Sequence, residues 1–312
     1  MEYVRLGRHG PRVSAVGMGM WQAGGNAWGK DVRDRDCIEA MRRGHELGIN
    51  LVDTAEVYGQ GHSEEVVAKG IRAVGRDAVV VATKLAGSHG RPRDVEKAVR
   101  GSLRRLGIQE IDLYQIHWPD PWDQVPLRGT MKALERLERA GTIRYIGVSN
   151  FAVRDLEDAR GHLSRTDVVS NQLRYNLLQR EIEAEVLPYC RKEGIAVLAW
   201  SPLGKGVLTG KYHPGRRPKD RVRQEEDLFR PGNLRAAGPL VKVLRSIARS
   251  RKKTPAQVAL AWLCSRGPVI PIPGAKRPAQ AEENAGAAGC FLTPVERKRL
   301  DRVSRAVRLD TF

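Results

Sequence analysis

The chain has 312 residues, 41% of them apolar and 29% charged, with a net charge of +18. That is the composition of a globular chain able to bury a sizeable core, and no uncharged apolar run approaches the ~20 residues a membrane-spanning helix needs. Cys37, Cys190, Cys264 and Cys290 stand far apart with no CxxC pair, which argues against a disulfide scaffold or zinc site and fits reduced thiols in a cytoplasm. The first ten residues, MEYVRLGRHG, carry charges where a signal peptide is apolar. Arginines, which far outnumber lysines, are spread through the helical segments rather than grouped in blocks. The plain reading is a solvated basic surface. Neither a zinc-finger spacing nor an RNP-type aromatic motif is present, so anionic small molecules are favoured over nucleic acid or a membrane as partners.

In chain order, YVRLG and RVSAV flank a turn at Arg8-His9-Gly10 and predict a β-hairpin within residues 1–16. Eight apolar strand candidates follow: Val16–Trp21, Asn50–Thr54, Ala78–Thr83, Ile111–His117, Ile143–Ser149, Asp167–Gln172, Ile195–Trp200 and Val269–Pro273. Between the first seven lie amphipathic helices over Asp34–Leu47, Ser63–Val74, Pro92–Leu106, Leu127–Ala140, Val153–Leu163 and Arg180–Lys192. Ser201–Pro239 is a long basic connection rich in proline and glycine, of the kind that forms functional lids. Helices are expected again over Leu240–Ser250, Thr254–Arg266 and Pro294–Val307.

Apolar strands alternating with helices predict a parallel sheet covered on its faces. Eight such units predict an α/β protein of one domain over residues 1–312, a closed (β/α)8 TIM barrel with an N-terminal hairpin and extra helices near the C-terminus. The rival is an open doubly wound sheet, but its GxGxxG fingerprint is missing after Gly17-Met18-Gly19, and no GxxxxGK[ST] loop occurs.

Active sites of such barrels gather where the strands end. Those positions hold Asp53, Lys84, His117, Ser149, Asn150, Gln172 and Ser201, with Tyr58 five residues beyond Asp53. Each has an ordinary alternative: a helix-capping carboxylate, a snorkelling lysine, a hydrogen-bonded structural histidine, a loop tyrosine packed on its neighbours. Together on one rim, a phenol, an ammonium, a carboxylate and an imidazole are the parts of a carbonyl-reducing site. A lysine beside a tyrosine lowers the phenol's pKa, a carboxylate holds the lysine charged, and an imidazole orients the carbonyl. No metal-binding spacing of the HExxH type is present.

The motifs DTAEVYGQGHSEE (53–65), ATK (82–84), QIHWPD (115–120), GVSNF (147–151), NQLRYN (171–176), AWSPLGKGVLTGKY (199–212) and IPGAKRPAQAEEN (272–284) resemble those of the aldo-keto reductases, in order and over nearly the whole chain. The resemblance lies closer to the bacterial and potassium-channel β-subunit branches than to the mammalian carbonyl reductases. It implies NADP(H)-dependent interconversion of carbonyl and alcohol, with Asp53, Tyr58, Lys84 and His117 as the catalytic tetrad. It further implies that Ser149, Asn150 and Gln172 hold the nicotinamide amide and that Tyr175 stacks on the ring. Trp200, Ser201, Pro202, Leu203, Gly206, Leu208 and Lys211 would meet the rest of the ring and the pyrophosphate. Gly274, Lys276, Gln280, Glu283 and Asn284 would meet the adenosine and its 2′-phosphate, with Met20 and Trp21 at the first strand's contact position.

Some positions depart from the family's pattern. Met20 stands where many relatives carry a small hydroxyl residue. Gln280 replaces an arginine of the mammalian branch, which moves phosphate recognition toward Lys276 and Arg277. The short tail implies an open substrate pocket, with Trp28 and Trp118 as wall candidates and Trp21, Trp122 and Phe229 near them. A cytoplasmic reductase of aldehydes or ketones is expected; the alternative is a cofactor-binding, redox-sensing subunit with weak catalysis.

Overall fold

The computed structural model describes residues 1–29, 31–120 and 124–310. Tyr3–Arg5 (β1) and Arg12–Ser14 (β2) pair antiparallel as the expected hairpin, closed where Leu6 N–H donates to Pro11 O at 2.9 Å. Eight parallel strands follow: Met18–Gly19 (β3), Leu51–Asp53 (β4), Val80–Leu85 (β5), Ile111–Ile116 (β6), Ile143–Ser149 (β7), Val168–Arg174 (β8), Ala196–Trp200 (β9) and Val269–Pro271 (β10). Each hydrogen-bonds its sequence neighbour. Gly17 N–H donates to Pro271 O at 2.9 Å and Gly19 N–H to Pro273 O at 3.0 Å, so the first strand meets the last and the sheet closes into a (β/α)8 barrel.

The helices cover the barrel: Asp34–Glu46 (α1), His62–Val74 (α2), Pro92–Leu106 (α3), Leu127–Arg139 (α4), Val153–Gly161 (α5) and Val186–Glu193 (α6). Beyond β9 come Arg221–Gln224 (α7), Pro231–Ala236 (α8), Gly238–Ser250 (α9) and Pro255–Cys264 (α10), and after β10 come Pro278–Ala285 (α11) and Pro294–Ala306 (α12). Local signals set many of these ends. Proline in the first turn opens α3, α10, α11 and α12, and capping boxes at Thr254/Gln257 and Thr293/Glu296 satisfy orphan N–H groups. Among the described residues no helix is long and apolar enough to cross a membrane.

Period-two alternation explains how the barrel presents its site. Leu51, Ala82, Leu113, Leu198 and Ile270 form an interior cluster with Leu6 and Val13 of the hairpin, which plug the barrel floor. Two residues further along each strand, on the same face, stand Asp53, Lys84, Gln115, Trp200 and Ile272. The opposite faces of the strands join the larger cluster shared with the helices.

Three elements differ from the sequence expectation. The first strand shrinks from Val16–Trp21 to two residues because Trp21–Gly24 turns into a 3-10 helix. The helix expected over Arg180–Lys192 starts at Val186, because Arg180 and Glu183 are held in ion pairs with Asp301 and Arg266. The connection 201–239 is not bare loop: it carries a 3-10 segment over Gly204–Thr209, then α7, a 3-10 turn at Asp227–Phe229, and α8.

Candidate active site

Asp53, Lys84 and Gln115 sit on adjacent strands in register: Asp53 pairs with Ala82, and Lys84 with Gln115. Lys84 is fully buried and all three of its protons are directed: to Asp53 Oδ2 at 2.7 Å, to Thr54 O at 2.7 Å and to the Tyr58 hydroxyl oxygen at 3.4 Å. The other oxygen of Asp53 accepts from Gln172 Nε2 at 2.8 Å and Gln115 Nε2 at 3.2 Å. A buried carboxylate paired and hydrogen-bonded at both oxygens is the form in which such a charge is tolerated. Burial pulls the Lys84 ammonium down, but Asp53 and then Tyr58 outweigh it and hold the group charged, above the ordinary lysine value.

Two glycines shape this corner. Gly59, at φ +61°, lets the chain turn after Tyr58; a Cβ there would fall 2.2 Å from Gly24 O. Gly147 leaves room for Gln115, whose Cγ would lie 2.8 Å from an added Cβ.

Tyr58 receives a hydrogen bond from Lys84, so its own proton is free to point into the groove. Its pKa is raised: burial is the largest cause, and Lys84 only partly opposes it. The expected lowering by lysine is therefore present but outweighed, and the resting phenol is protonated. His117 packs edge-on to Tyr58 with ring centroids 5.5 Å apart. Burial, and then the Lys84 charge, push its pKa down to about 2, and its Nδ1 is sealed without a partner among the described residues. The imidazole is therefore neutral.

These groups close one end of a cavity of about 330 Å³. Of the sequence-predicted residues, Trp21, Trp28, Asp53, Tyr58, His117, Trp118, Ser149, Asn150, Gln172, Trp200, Ser201, Pro202, Leu203, Gly206, Lys211, Gly274, Gln280, Glu283 and Asn284 line it. Ser149 Oγ donates to Gln172 O at 2.8 Å, and Asn150 Nδ2 donates to Ser149 Oγ and to His117 O, both at 3.0 Å. Asn150 Oδ1 accepts from Trp200 Nε1 at 3.2 Å. Asn150, Ser201 and Lys205 all carry positive φ, at 62°, 49° and 49°. Such strain costs energy and gathers at working sites.

Five expected residues do not reach the cavity wall: Lys84, buried behind Tyr58, and Tyr175, Met20, Leu208 and Lys276. Tyr175 is fully buried on the outward side of β8, against Trp262, with Glu183 and Arg266 on its hydroxyl. Ring stacking therefore does not fall to Tyr175, whereas Trp200, on the inward face of β9, stands on the wall. The Met20 and Leu208 side chains belong to the apolar core. Lys276 sits at the rim, its Nζ donating to Trp28 O at 3.1 Å and paired with Asp31 at 3.5 Å. Among the further wall candidates, Phe229 is buried against Tyr212, and Trp122 lies outside the described residues.

Sequence reasoning missed Gln22, Lys205, Tyr212 and Arg223, which line the cavity, and Gln115, which bonds Asp53. Gln115 carried a signal, since it shares the inward face with Leu113 and His117. Lys205 lies inside the 199–212 motif without being distinguished there, and Arg223 carried no signal, lying in a segment crowded with basic residues. Arg223 lies over the Trp28 ring at 4.8 Å and the Tyr212 ring at 5.5 Å, pairs with Asp220 at 2.7 Å and donates to Lys205 O at 2.7 Å. Lys205 pairs with Glu226 and sits 5.1 Å above Trp21. Residues 201–230 thus strap across the groove onto the Trp21–Trp28 turn.

The family model for the aldo/keto reductase family matches residues 15–305. The chain is 31% identical to the NADH-specific methylglyoxal reductase of Escherichia coli, over 98% of this chain and 99% of that protein. Among solved structures it is similar to the glycerol dehydrogenase of Gluconobacter oxydans, at 34% identity and TM-score 0.87 over 99% of this chain and 98% of that one. It is also similar to an aldo-keto reductase of Klebsiella pneumoniae in complex with NADPH, at 30% identity and TM-score 0.77 over 100% of both chains.

Proposed function

This chain belongs to the aldo/keto reductase family, and from that premise we propose that it reduces small aldehydes or ketones with NADPH, using Tyr58 as proton donor. The observation that carries the reading is the sealed Asp53–Lys84 pair, with Lys84 donating to Tyr58 on the groove wall beside a neutral His117. NADPH, when bound, supplies a hydride to the carbonyl carbon.

The side chains divide the remaining work. Neutral His117 donates a ring N–H to the carbonyl oxygen and orients it. Tyr58, protonated at rest, gives its proton to that oxygen as negative charge develops there. Lys84 stabilises the phenolate left behind, and Asp53 keeps Lys84 charged. Trp21, Trp28 and Trp118 wall the carbonyl end and exclude water; their flat apolar faces favour small substrates with an apolar side.

The groove fits the coenzyme. Ser149 and Gln172 face the amide end, Trp200 takes the ring-stacking role, and Asn150 acts by bracing that wall, since both ends of its amide are already bonded to protein. Ser201, Pro202, Leu203, Gly206 and Lys211 hold the pyrophosphate under the strap. Gly274, Gln280, Glu283 and Asn284 hold the adenosine, with Lys276 and Arg277 reaching its 2′-phosphate. The Klebsiella neighbour was solved with NADPH and the Escherichia relative is named for NADH, so coenzyme choice rests on the chain's own residues at this end. The chain works as a single domain, and its cysteines, free among the described residues, suit the cytoplasm.

The test is NADPH oxidation, followed by absorbance, against a panel of small aldehydes and ketones. Turnover on several members supports the reading. Tight NADPH binding with no turnover on any member contradicts it and favours a redox-sensing subunit.

A further inference from the structure

The two cations at the adenosine end are not waiting for an anion. Both already hold one. Arg277 Nη2 lies 2.9 Å from Asp31 Oδ2, and Lys276 Nζ lies 3.5 Å from Asp31 Oδ1. Neighbouring side chains of an extended segment ordinarily point apart; here Arg277, at φ −151°, precedes α11, and both side chains converge on one carboxylate. Burial works against the Asp31 charge, yet Lys276, the residue's own backbone N–H and Arg277 outweigh it and hold the carboxyl below its ordinary value. Asp31 comes from the turn between Trp28 and α1, not from α11's own segment. Lys276 is fixed as well, by Trp28 O.

We propose that Asp31 sets coenzyme selectivity: its carboxylate occupies the Lys276–Arg277 pair in place of a 2′-phosphate and accepts a hydrogen bond from an unphosphorylated ribose 2′-hydroxyl. This rests on the coenzyme groove proposed above. A 2′-phosphate carries nearly two negative charges and must displace Asp31 to reach either cation. A 2′-hydroxyl needs an acceptor, and a carboxylate supplies one, as acidic residues do for NAD in other folds. Asp31 thus weakens NADPH binding and supports NADH binding, narrowing the preference that Lys276 and Arg277 alone would impose.

The experiment measures Kd for NADPH and NADH by quenching of tryptophan fluorescence, in wild type and in Asp31→Asn, with Asp31→Ala as a second variant. The Asp31 side chain is 57% exposed, so neither change disturbs the core. Removing a unit charge at contact range in high dielectric is worth about fivefold. NADPH is therefore expected to bind about fivefold tighter or more in both variants, while NADH binds equally or more weakly. Unchanged NADPH affinity, or equal shifts for the two coenzymes, overturns the proposal. A wild-type chain that binds neither coenzyme overturns the groove assignment itself and this proposal with it.

Discussion

Lys84 and Asp53 form an ion pair sealed from solvent, with Nζ 2.7 Å from Oδ2 and side-chain exposures of 0% and 3%. Such a pair ties function to stability. Removing one partner strands the other charge in the barrel, at a cost of about 3–5 kcal/mol. Asp53→Asn and Lys84→Met should each lower unfolding free energy by that order in urea titrations. The double variant should be more stable than the sum of the single losses by at least about 1 kcal/mol. Strict additivity would show that the two groups do not depend on each other.

His117 gives the site a pH signature. Its folded pKa is depressed to about 2 by burial and by Lys84. The unfolded value is near 6.5, so below that pH the unfolded chain takes up a proton that the folded chain refuses. Stability from this group is therefore present above pH 6.5 and is lost as pH falls. Between pH 6.5 and 5.0 the wild type should lose up to about 1.5 kcal/mol more than His117→Gln, measured by urea unfolding at both values. An equal loss in both proteins would mean that the folded imidazole titrates normally.

Arg223 should control how long coenzyme stays. Its guanidinium joins the strap to Trp28 and Tyr212, 4.8 Å and 5.5 Å from their rings. Arg223→Ala removes these contacts and the Asp220 pair, so NADPH release followed by stopped-flow fluorescence should speed up roughly tenfold. Release at the wild-type rate would show that the strap does not gate the groove.

The barrel and most of its rim were legible because two simple periods run through the chain. Apolar strands alternate with helices, and within strands the inward column ends in polar groups. The same counting explains two errors. Stepping by two from Gly19 puts Trp21 inward and Met20 outward, and stepping from Gln172 puts Tyr175 outward, where each is found. Motif likeness alone places Met20 and Tyr175 in the groove. Gln115 was passed over because it reads as one polar residue inside an apolar strand, although its parity with His117 marks it. The roles of Lys205, Arg223 and Asp31 were not legible. Each depends on contacts across long separations: Asp31 meets Arg277 246 positions away. Local periodicity carries no record of such a meeting. The sign of the Tyr58 shift was also hidden, since it depends on how far packing in the folded chain desolvates the phenol.

In the proposed mechanism the Tyr58 proton, positioned by Lys84, completes carbonyl reduction. The most direct measurement is the single-turnover rate with saturating NADPH and an active aldehyde, in wild type and Tyr58→Phe, alongside Kd for NADPH. Losing a positioned general acid costs roughly 10²-fold or more. The rate should fall by at least that factor with NADPH affinity unchanged, because the proposed role places the phenol hydroxyl at the carbonyl end of the groove. A Tyr58→Phe protein that keeps most of the wild-type single-turnover rate would contradict it.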